Sequence, residues 1–407
     1  MNIIIKPMQE EDYQAFARIS QSAYPGAYKL DDDTRNEIVE GIKKFESIHD
    51  ITCFGAYIDN KLAGAMRFYT FDMNFHGQTI TASGIGSVAV DLLHKKRGVA
   101  KALIEFANKH SMKLEIPIIT LYPFKASFYH NFGYGFGVPV FNYKTAPSHF
   151  KDYKIREGLS FANERNFELI ETCYNKYVET NHGMMYKSSM DKYRIEKRKE
   201  SRILTFEENG QMTGYVIFTQ EGITKENILR QKMHCIEFIY NTPRALQALS
   251  SFFHTQKDQV EYIELHTFDD RFYHILCDHS YVANPTQHPL ISHKINDTSL
   301  GLMYMALDPA ELIEWVEDRV DENLVFNIIS AKHGNDDQFV ESFEINPGAL
   351  EKLEIDFPIQ SFSSWIMGAV SLEHLYFQGK IDCALPQKLK VLDKKFNLDS
   401  PQCMNMF

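Results

Sequence analysis

Ser87-Val88-Ala89-Val90-Asp91-Leu92-Leu93-His94-Lys95-Lys96-Arg97-Gly98-Val99-Ala100-Lys101 changes periodicity part-way along. Up to Val90 it is apolar and reads as the end of a strand. From Val99 the apolar residues Val99, Ala102, Leu103, Phe106 and Ala107 fall at i, i+3, i+4, i+7 and i+8, which predicts an amphipathic helix. Between the two elements stand three consecutive cations, Lys95, Lys96 and Arg97. Cations at a helix start oppose the helix dipole by a few tenths to about 1 kcal/mol each. An anion bound at that point removes the conflict. Gly98 lets the backbone approach it, Ala100 keeps the next turn small, and the unpaired first-turn amides point at it. A solvated charge run and a nucleic-acid patch are the competing readings. The chain is acidic overall, with 43 Lys and Arg against 54 Asp and Glu and a net charge of −11, which opposes nucleic acid as the partner. A pyrophosphate cradle best fits strand, basic loop and helix arriving together.

Working outward, residues 51–90 carry turn signals at Asp59-Asn60 and His76-Gly77 and read as an antiparallel meander. Residues 1–50 read as a short strand at Ile3–Ile5 followed by helices, the first with the acidic start Glu10-Glu11-Asp12. Ile116–Tyr122 is a new strand. Residues 150–290 echo this order: a hairpin at Asn209-Gly210, the strand Met233–Tyr240, a helix over Pro243–Phe253 and the strand Glu261–Phe268. After the strand Met233–Tyr240 stands Asn241-Thr242-Pro243-Arg244-Ala245-Leu246, with neither a glycine nor a basic triplet, so this second copy reads as structural. Pro285–Asp297 reads as a linker. A helix over Asp308–Asp318, a hairpin around Gly334-Asn335, strands to Ile355 and a helix over Ser361–Val370 make a final α+β segment.

With 407 residues, 44% apolar and 24% charged, the chain is ordinary for a globular protein of two or three domains. The N-terminus lacks the pattern of a signal peptide, and no run of about 18 apolar residues predicts a membrane helix. Cys53, Cys173, Cys235, Cys277, Cys383 and Cys403 are scattered, with no zinc-like spacing. A reducing cytoplasm is the expected location, and no metal is expected.

Lys95-x-x-Gly98-x-Ala100 resembles the R/Q-x-x-G-x-G/A loop of GNAT N-acetyltransferases, which binds the pyrophosphate of acetyl-CoA. Lys95 stands where that family usually has Arg or Gln. The resemblance implies cofactor contacts from Lys95, Lys96, Arg97, Gly98, Val99 and Ala100. It also implies that the backbone of Val88, Ala89 and Val90 holds the pantetheine arm. Downstream, Phe128-Tyr129-His130-Asn131-Phe132-Gly133-Tyr134-Gly135 resembles the segment that carries a general-acid tyrosine, most closely in the Eis-like (enhanced intracellular survival) acetyltransferases. The carry-over lands on Tyr129, with His130 as a less favoured donor.

Similarity to the Eis-like proteins extends over nearly the whole chain. It implies an α+β fold of two tandem GNAT-type domains, 1–148 catalytic and 149–290 degenerate, with a sterol-carrier-like domain over 291–407. In that family the terminal carboxylate works in the active site and the last residue is usually Phe, as Phe407 is here. Without the resemblance this tail would read as a frayed end. The implied reaction is direct acetyl transfer to a primary amine of aminoglycoside, polyamine or lysine type, in a homo-oligomer that the family makes a hexamer. No cysteine lies in either motif, which argues against an acyl-Cys route. Ser22-Ala23-Tyr24-Pro25-Gly26 resembles the acceptor pocket segment and nominates Tyr24. Where aminoglycoside-modifying relatives carry acids, this chain has Gly26 and Met406. Asp31, Asp32 and Asp33 read as a helix cap. Glu373–Gly379 resembles a protease tag-removal site but continues the last domain. A lipid or sterol carrier and a non-catalytic CoA sensor are the rival readings.

Overall fold

The turn signals at Asp59-Asn60 and His76-Gly77 act where expected. Asp59, Asn60 and His76 all take positive φ, with Gly77 at +96°. The computed structural model describes residues 2–48, 50–162, 166–227, 229–280, 293–331, 338–348, 352–405 and 407. The first segment contains β1 (Ile4–Pro7), α1 (Tyr13–Ala23), α2 (Asp32–Glu46), β2 (Ile51–Ile58), β3 (Lys61–Phe75), β4 (Gln78–Val90), α3 (Val99–Lys113), β5 (Ile118–Leu121), α4 (Ala126–His130) and β6 (Gly135–Phe136). The strands β1 to β4 are antiparallel neighbours. Met66 and Phe68 face α3 and its Leu103, while Ala65 faces Phe16 and Ile42 of α1 and α2, the alternation of a strand covered on both sides.

Two irregularities open this sheet. β4 pairs in parallel with β5 only at Ser83↔Ile119, Gly84↔Thr120 and Ile85↔Leu121. Between Ala65↔Ala89 and Arg67↔Gly86 the β3–β4 register slips by one residue. That extra residue is a β-bulge, and Ser87 takes φ +51° within it. Beyond Ile85 the β4 backbone therefore turns away from β5.

The chain divides into two compact units, residues 1–137 with 301–401 and 406–407, and residues 138–300 with 402–405. Unit two holds β7 (Pro139–Thr145), β8 (Leu159–Phe161), α5 (Phe167–Glu179), α6 (Ser189–Lys197), β9 (Arg202–Glu208), β10 (Gln211–Gly222), β11 (Gln231–Tyr240), α7 (Pro243–Thr255), β12 (Val260–Thr267) and β13 (Asp297–Leu300). Its sheet runs β13-β7-β12-β11-β10-β9-β8. β11 and β12 are parallel only from Gln231↔Val260 to His234↔Glu264, a second copy of the β4–β5 opening. Phe238, Phe253 and Phe272 pack together in its core. Within this unit Gln402 N–H donates to the His182 carbonyl at 2.7 Å, and the Tyr174 hydroxyl donates to Asn405 Oδ1 at 2.6 Å.

The last segment returns to unit one with β14 (Met303–Ala306), α8 (Pro309–Glu314), β15 (Asn323–Ala331), β16 (Gln338–Ile345), β17 (Lys352–Pro358), α9 (Ile359–Ile366), α10 (Leu372–Phe377), β18 (Asp382–Cys383) and α11 (Leu389–Phe396). β14 inserts between β5 and β6, completing the order β1-β2-β3-β4-β5-β14-β6. A separate sheet, β16-β15-β17-β18, packs around Trp365, whose ring lies 5.6 Å from Phe326, 5.5 Å from Phe357 and 5.1 Å from Phe396. Within unit one, Ala306 N–H donates to Ser363 Oγ at 3.0 Å, Gln360 Nε2 to the His130 carbonyl at 3.1 Å, and His76 Nε2 to the Ile366 carbonyl at 2.9 Å.

These divisions differ from those expected at 148 and 290. The backbone edge of β5 is taken by β14, so β7 pairs with β12 and β13 instead, and the break falls after Gly137. The segment expected as an independent third domain shares a unit with the first. Two helices are shorter than expected. α8 stops at Glu314 because Val316 leaves helical geometry at φ −130°. α9 ends at Ile366, beside left-handed Gly368, where any side chain would strike the Asp399 backbone. The linker expected over 285–297 is described only from 293. The Gly334-Asn335 turn lies outside the described residues, although β15 and β16 pair antiparallel on either side of it. Glu373–Gly379 is part of the fold: α10 buries Leu372 and Leu375, and the Asp393 carboxylate accepts the Leu372 and Glu373 amides.

Candidate active site

The α3 helix starts at left-handed Gly98 (φ +84°), which supplies no side-chain cap. No acidic residue stands in its first turn. The amides of Val99, Ala100 and Lys101 have no intrahelical acceptor by position. Lys95, Lys96, Arg97 and Gly98 are all exposed. A Cβ on Gly98 would meet nothing within 4 Å, so the space above the helix start is open. The loop therefore combines bare amides, a favourable dipole end and three cations. In unit two the corresponding helix start is closed. Thr242 Oγ1 accepts the Ala245 amide at 3.1 Å and donates to Glu208 Oε2 at 3.1 Å. A carboxylate thus occupies the place an anion would need.

Val88, Ala89 and Val90 lie beyond the last β4–β5 pair, so on that edge their backbone has no strand partner. The Tyr24 hydroxyl donates to the Val88 carbonyl at 2.6 Å, which ties the end of α1 to the bulge. Tyr129 sits in α4, 3% exposed. Its ring meets Phe124 at 6.2 Å, Phe128 at 5.1 Å and Tyr134 at 6.1 Å. Burial, and then the neighbouring Tyr24 phenol, hold the Tyr129 hydroxyl well above the ordinary phenol range. It keeps its proton throughout the neutral range, as a proton donor must. His130 is engaged elsewhere: its Nδ1 donates to the Tyr134 carbonyl at 3.1 Å and its ring stacks on Phe136 at 4.9 Å.

Phe407 lies on the opposite side of the bulge from the basic loop's helix. Its ring contacts Tyr69 at 5.6 Å, Phe71 at 5.3 Å and Tyr122 at 5.4 Å. A Cβ on Gly84 would stand 2.8 Å from that ring, and one on Gly86 would stand 3.0 Å from the carboxyl carbon and oxygen. The two glycines clear one face of β4 for the terminal residue.

Residues 4–137 match an acetyltransferase (GNAT) domain family, and residues 184–291 match a second family of the same description. The chain carries two GNAT acetyltransferase domains. It is accordingly an acetyltransferase, and such domains take acetyl-CoA as co-substrate. The fold of the whole chain is shared with a GCN5-related N-acetyltransferase from Anabaena variabilis at 16% identity, covering 100% of both chains with a TM-score of 0.75. It is shared equally with an Enterococcus faecalis protein described as a probable N-acyltransferase, at 17% identity, 100% of both chains and a TM-score of 0.75. Eis1 from Mycobacterium abscessus matches at 15% identity, 100% of both chains and a TM-score of 0.73. At these identities the likeness is one of fold. No curated protein matches by sequence.

Acetyl-CoA suits this first GNAT domain. The basic loop and bare helix start would hold its pyrophosphate, and the β4 backbone its pantetheine arm. Among the described residues no group of three or more His, Cys, Asp or Glu could hold a metal ion, and no helix is long and apolar enough to cross a membrane. Cys53 lies beside the site, but burial pushes its thiol up to about 12, so it is no thiolate at neutral pH.

Several site residues escaped the sequence reading. Arg67, Tyr69 and Phe71 alternate along β3, and Tyr122 follows β5. The signal that points to them is Gly84-Ile85-Gly86, two glycines one residue apart inside a strand. Asp31 caps α2 through the Thr34 amide at 2.8 Å, and Asp32 pairs with Arg35 at 2.6 Å. Met406 lies outside the described residues.

Proposed function

We propose that this protein is an Eis-like, acetyl-CoA-dependent N-acetyltransferase that modifies a primary amine in its first domain. The observation that carries the reading is the terminal carboxylate of Phe407 against the Gly86 backbone, beside the β4 bulge whose Val88 carbonyl Tyr24 engages. The amine nitrogen attacks the thioester carbonyl, the carbon–sulfur bond breaks, and Tyr129 donates its proton to the departing thiolate. The nitrogen loses a proton to water ordered by the Phe407 carboxylate, and Tyr129 is reprotonated from solvent. A free α-carboxylate near pKa 3.5 cannot efficiently deprotonate an ammonium near 10.4, so Phe407 chiefly orients an amine that arrives neutral. Lys95, Lys96, Arg97, Gly98, Val99 and Ala100 bind the pyrophosphate, and Tyr24 fixes one wall of the acceptor pocket.

The second GNAT domain is structural on this reading, since Glu208 and Thr242 close its helix start. The final segment corresponds to the sterol-carrier-like domain of Eis-like proteins. A lipid-carrier role gains no support, because Phe362, Trp365, Ile366 and Met367 are packed core side chains at 0–1% exposure. The same resemblance proposes a hexamer, readable by light scattering, and the six free cysteines fit a cytoplasmic protein. The test of function is thiol release from acetyl-CoA across a panel of primary amines. Tight acetyl-CoA binding with no amine-dependent thiol release would leave the non-catalytic sensor.

A further inference from the structure

Arg67 of β3 pairs with Cys53 on one side and with Gly86 on the other, which places it one strand from the glycine that backs the Phe407 carboxyl group. Its side chain leaves the sheet toward α2, where the guanidinium carbon stands 4.3 Å from the centre of the Phe45 ring. Its charge reaches the Tyr24 phenol, and at the Cys53 thiol charge and a hydrogen bond from the guanidinium both act against burial. Arg67 Nε is buried and has no hydrogen-bond partner among the described residues. The nearby carboxylate of Glu46 accepts the Cys53 amide at 3.0 Å, and no ion pair to Arg67 occurs among the described residues.

A guanidinium presents five donors in a planar fork and keeps its charge at every physiological pH. Held over an aromatic ring, with the Cys53 thiol as one acceptor and its buried Nε–H unanswered, it gains by receiving an anion. Among the side chains of Tyr24, Tyr69, Phe71 and Phe407 there is no carboxylate, so the terminal carboxylate is the one anion these residues offer an ammonium group. The neighbouring segment has Gly26 where an acid would welcome a polycation, and Asp31 and Asp32 are engaged in the cap of α2 and with Arg35.

We infer that Arg67 recognises an anionic group on the acceptor, so that the amine acetylated here also carries a carboxylate or a phosphate. This rests on the acetyltransferase reading above. The fork receives the anion over the Phe45 ring while Phe407 orients the amine. Polycationic acceptors are disfavoured by the same charge.

The test uses acceptor pairs that share an amine and differ only in the anion. One set is the ω-amino acids from β-alanine to 6-aminohexanoate with their amides; the other is glucosamine 6-phosphate with glucosamine. Thiol release is followed with the full-length protein, Arg67→Met and Arg67→Lys, and melting temperature verifies folding. The anionic member of one set should be preferred by about 10-fold or more through KM, as a charge-assisted pair implies. Arg67→Met should erase that preference, lowering kcat/KM for the anionic member by about 10-fold more than for its neutral partner, and Arg67→Lys should restore part of it. The preferred set tells carboxylate from phosphate. No preference in either set, or an equal fall in kcat for both members, would overturn the inference. Calorimetry of the anionic members without acetyl-CoA separates the two failures. Heat abolished by Arg67→Met supports the anion site even if no amine turns over, and heat absent from the wild-type protein, or equal in both proteins, refutes it.

Discussion

Gly86 and Phe407 touch: a Cβ on Gly86 would stand 3.0 Å from both the carboxyl carbon and the oxygen of the terminal residue. The last residue of the chain thus rests against a strand formed more than three hundred positions earlier. Gly84 makes the same allowance for the Phe407 ring, at 2.8 Å. Gly86→Ala should therefore displace the carboxylate by a few tenths of an ångström to about 1 Å, and misplacement on that scale can lower the rate on the order of 100-fold. Melting temperature should change little if the chain end gives way, although the Tyr69 ring, also 3.0 Å from that Cβ, must be accommodated as well. Steady-state amine acetylation with Gly84→Ala alongside reads it; unchanged kcat in both variants would remove Phe407 from the site.

A C-terminal Gly-Ser extension tests the same residue from the other side. One added residue carries the charge about 3.5 Å away. The extended protein should melt normally and acetylate amines on the order of 100-fold more slowly. Deleting Phe407 should behave likewise. Full activity after extension would restore the frayed-end reading of the tail.

Tyr129→Phe keeps the packing against Phe124, Phe128 and Tyr134 and removes only the hydroxyl. General-acid loss typically lowers kcat by about 10²–10⁴. Acetyl-CoA affinity should hold. Because burial and Tyr24 raise the Tyr129 phenol, kcat should also show no downward break from this group as pH rises to 10. A basic limb titrating at 8–9 in the wild type and missing in Tyr129→Phe would contradict that assignment.

Gly98→Asp meets no protein atom, so the fold should survive with modest strain from the left-handed φ. The carboxylate it places at the bare helix start competes for the amides and repels phosphate. Calorimetry should show acetyl-CoA binding lost, and reversing Lys95 and Lys96 to Glu should weaken it at low salt most of all.

His76, bonded to the Ile366 carbonyl, has its imidazole pushed down to about 4, chiefly by burial. Its folded value lies below the unfolded value near 6.5, so the neutral ring stabilises the fold above pH 6.5. That stability declines as pH falls from 6.5 toward 4. Denaturant titrations across this window should show a slope that His76→Gln flattens. A parallel pH profile in the variant would assign acid lability to other groups.

The periodic elements were legible in the sequence because their causes are local. Asp59-Asn60, His76-Gly77 and Asn209-Gly210 set their turns through φ preferences of the residues themselves. The change from strand to helix across Val90 and Val99 is written in side-chain spacing, and the electrostatic conflict at Lys95–Arg97 is a property of adjacent residues. Domain limits were not legible in this way. β7 is a good strand wherever it pairs, and only the insertion of β14 beside β5 sends it to the other sheet.

By itself the sequence determined the strands β1 to β5 and β9 to β12, the basic loop and bare start of α3, and the aromatic segment around Tyr129. Each follows from neighbours within a turn or two of chain. Tertiary structure alone decided where the tail goes, which face of β3 meets it, and that Arg67 stands beside Tyr24 and Phe45. Those are contacts between distant positions, fixed by the β4 bulge at Ser87 and by the glycines that let Phe407 approach, and neither spacing nor composition records which distant partner fills a cleared strand face.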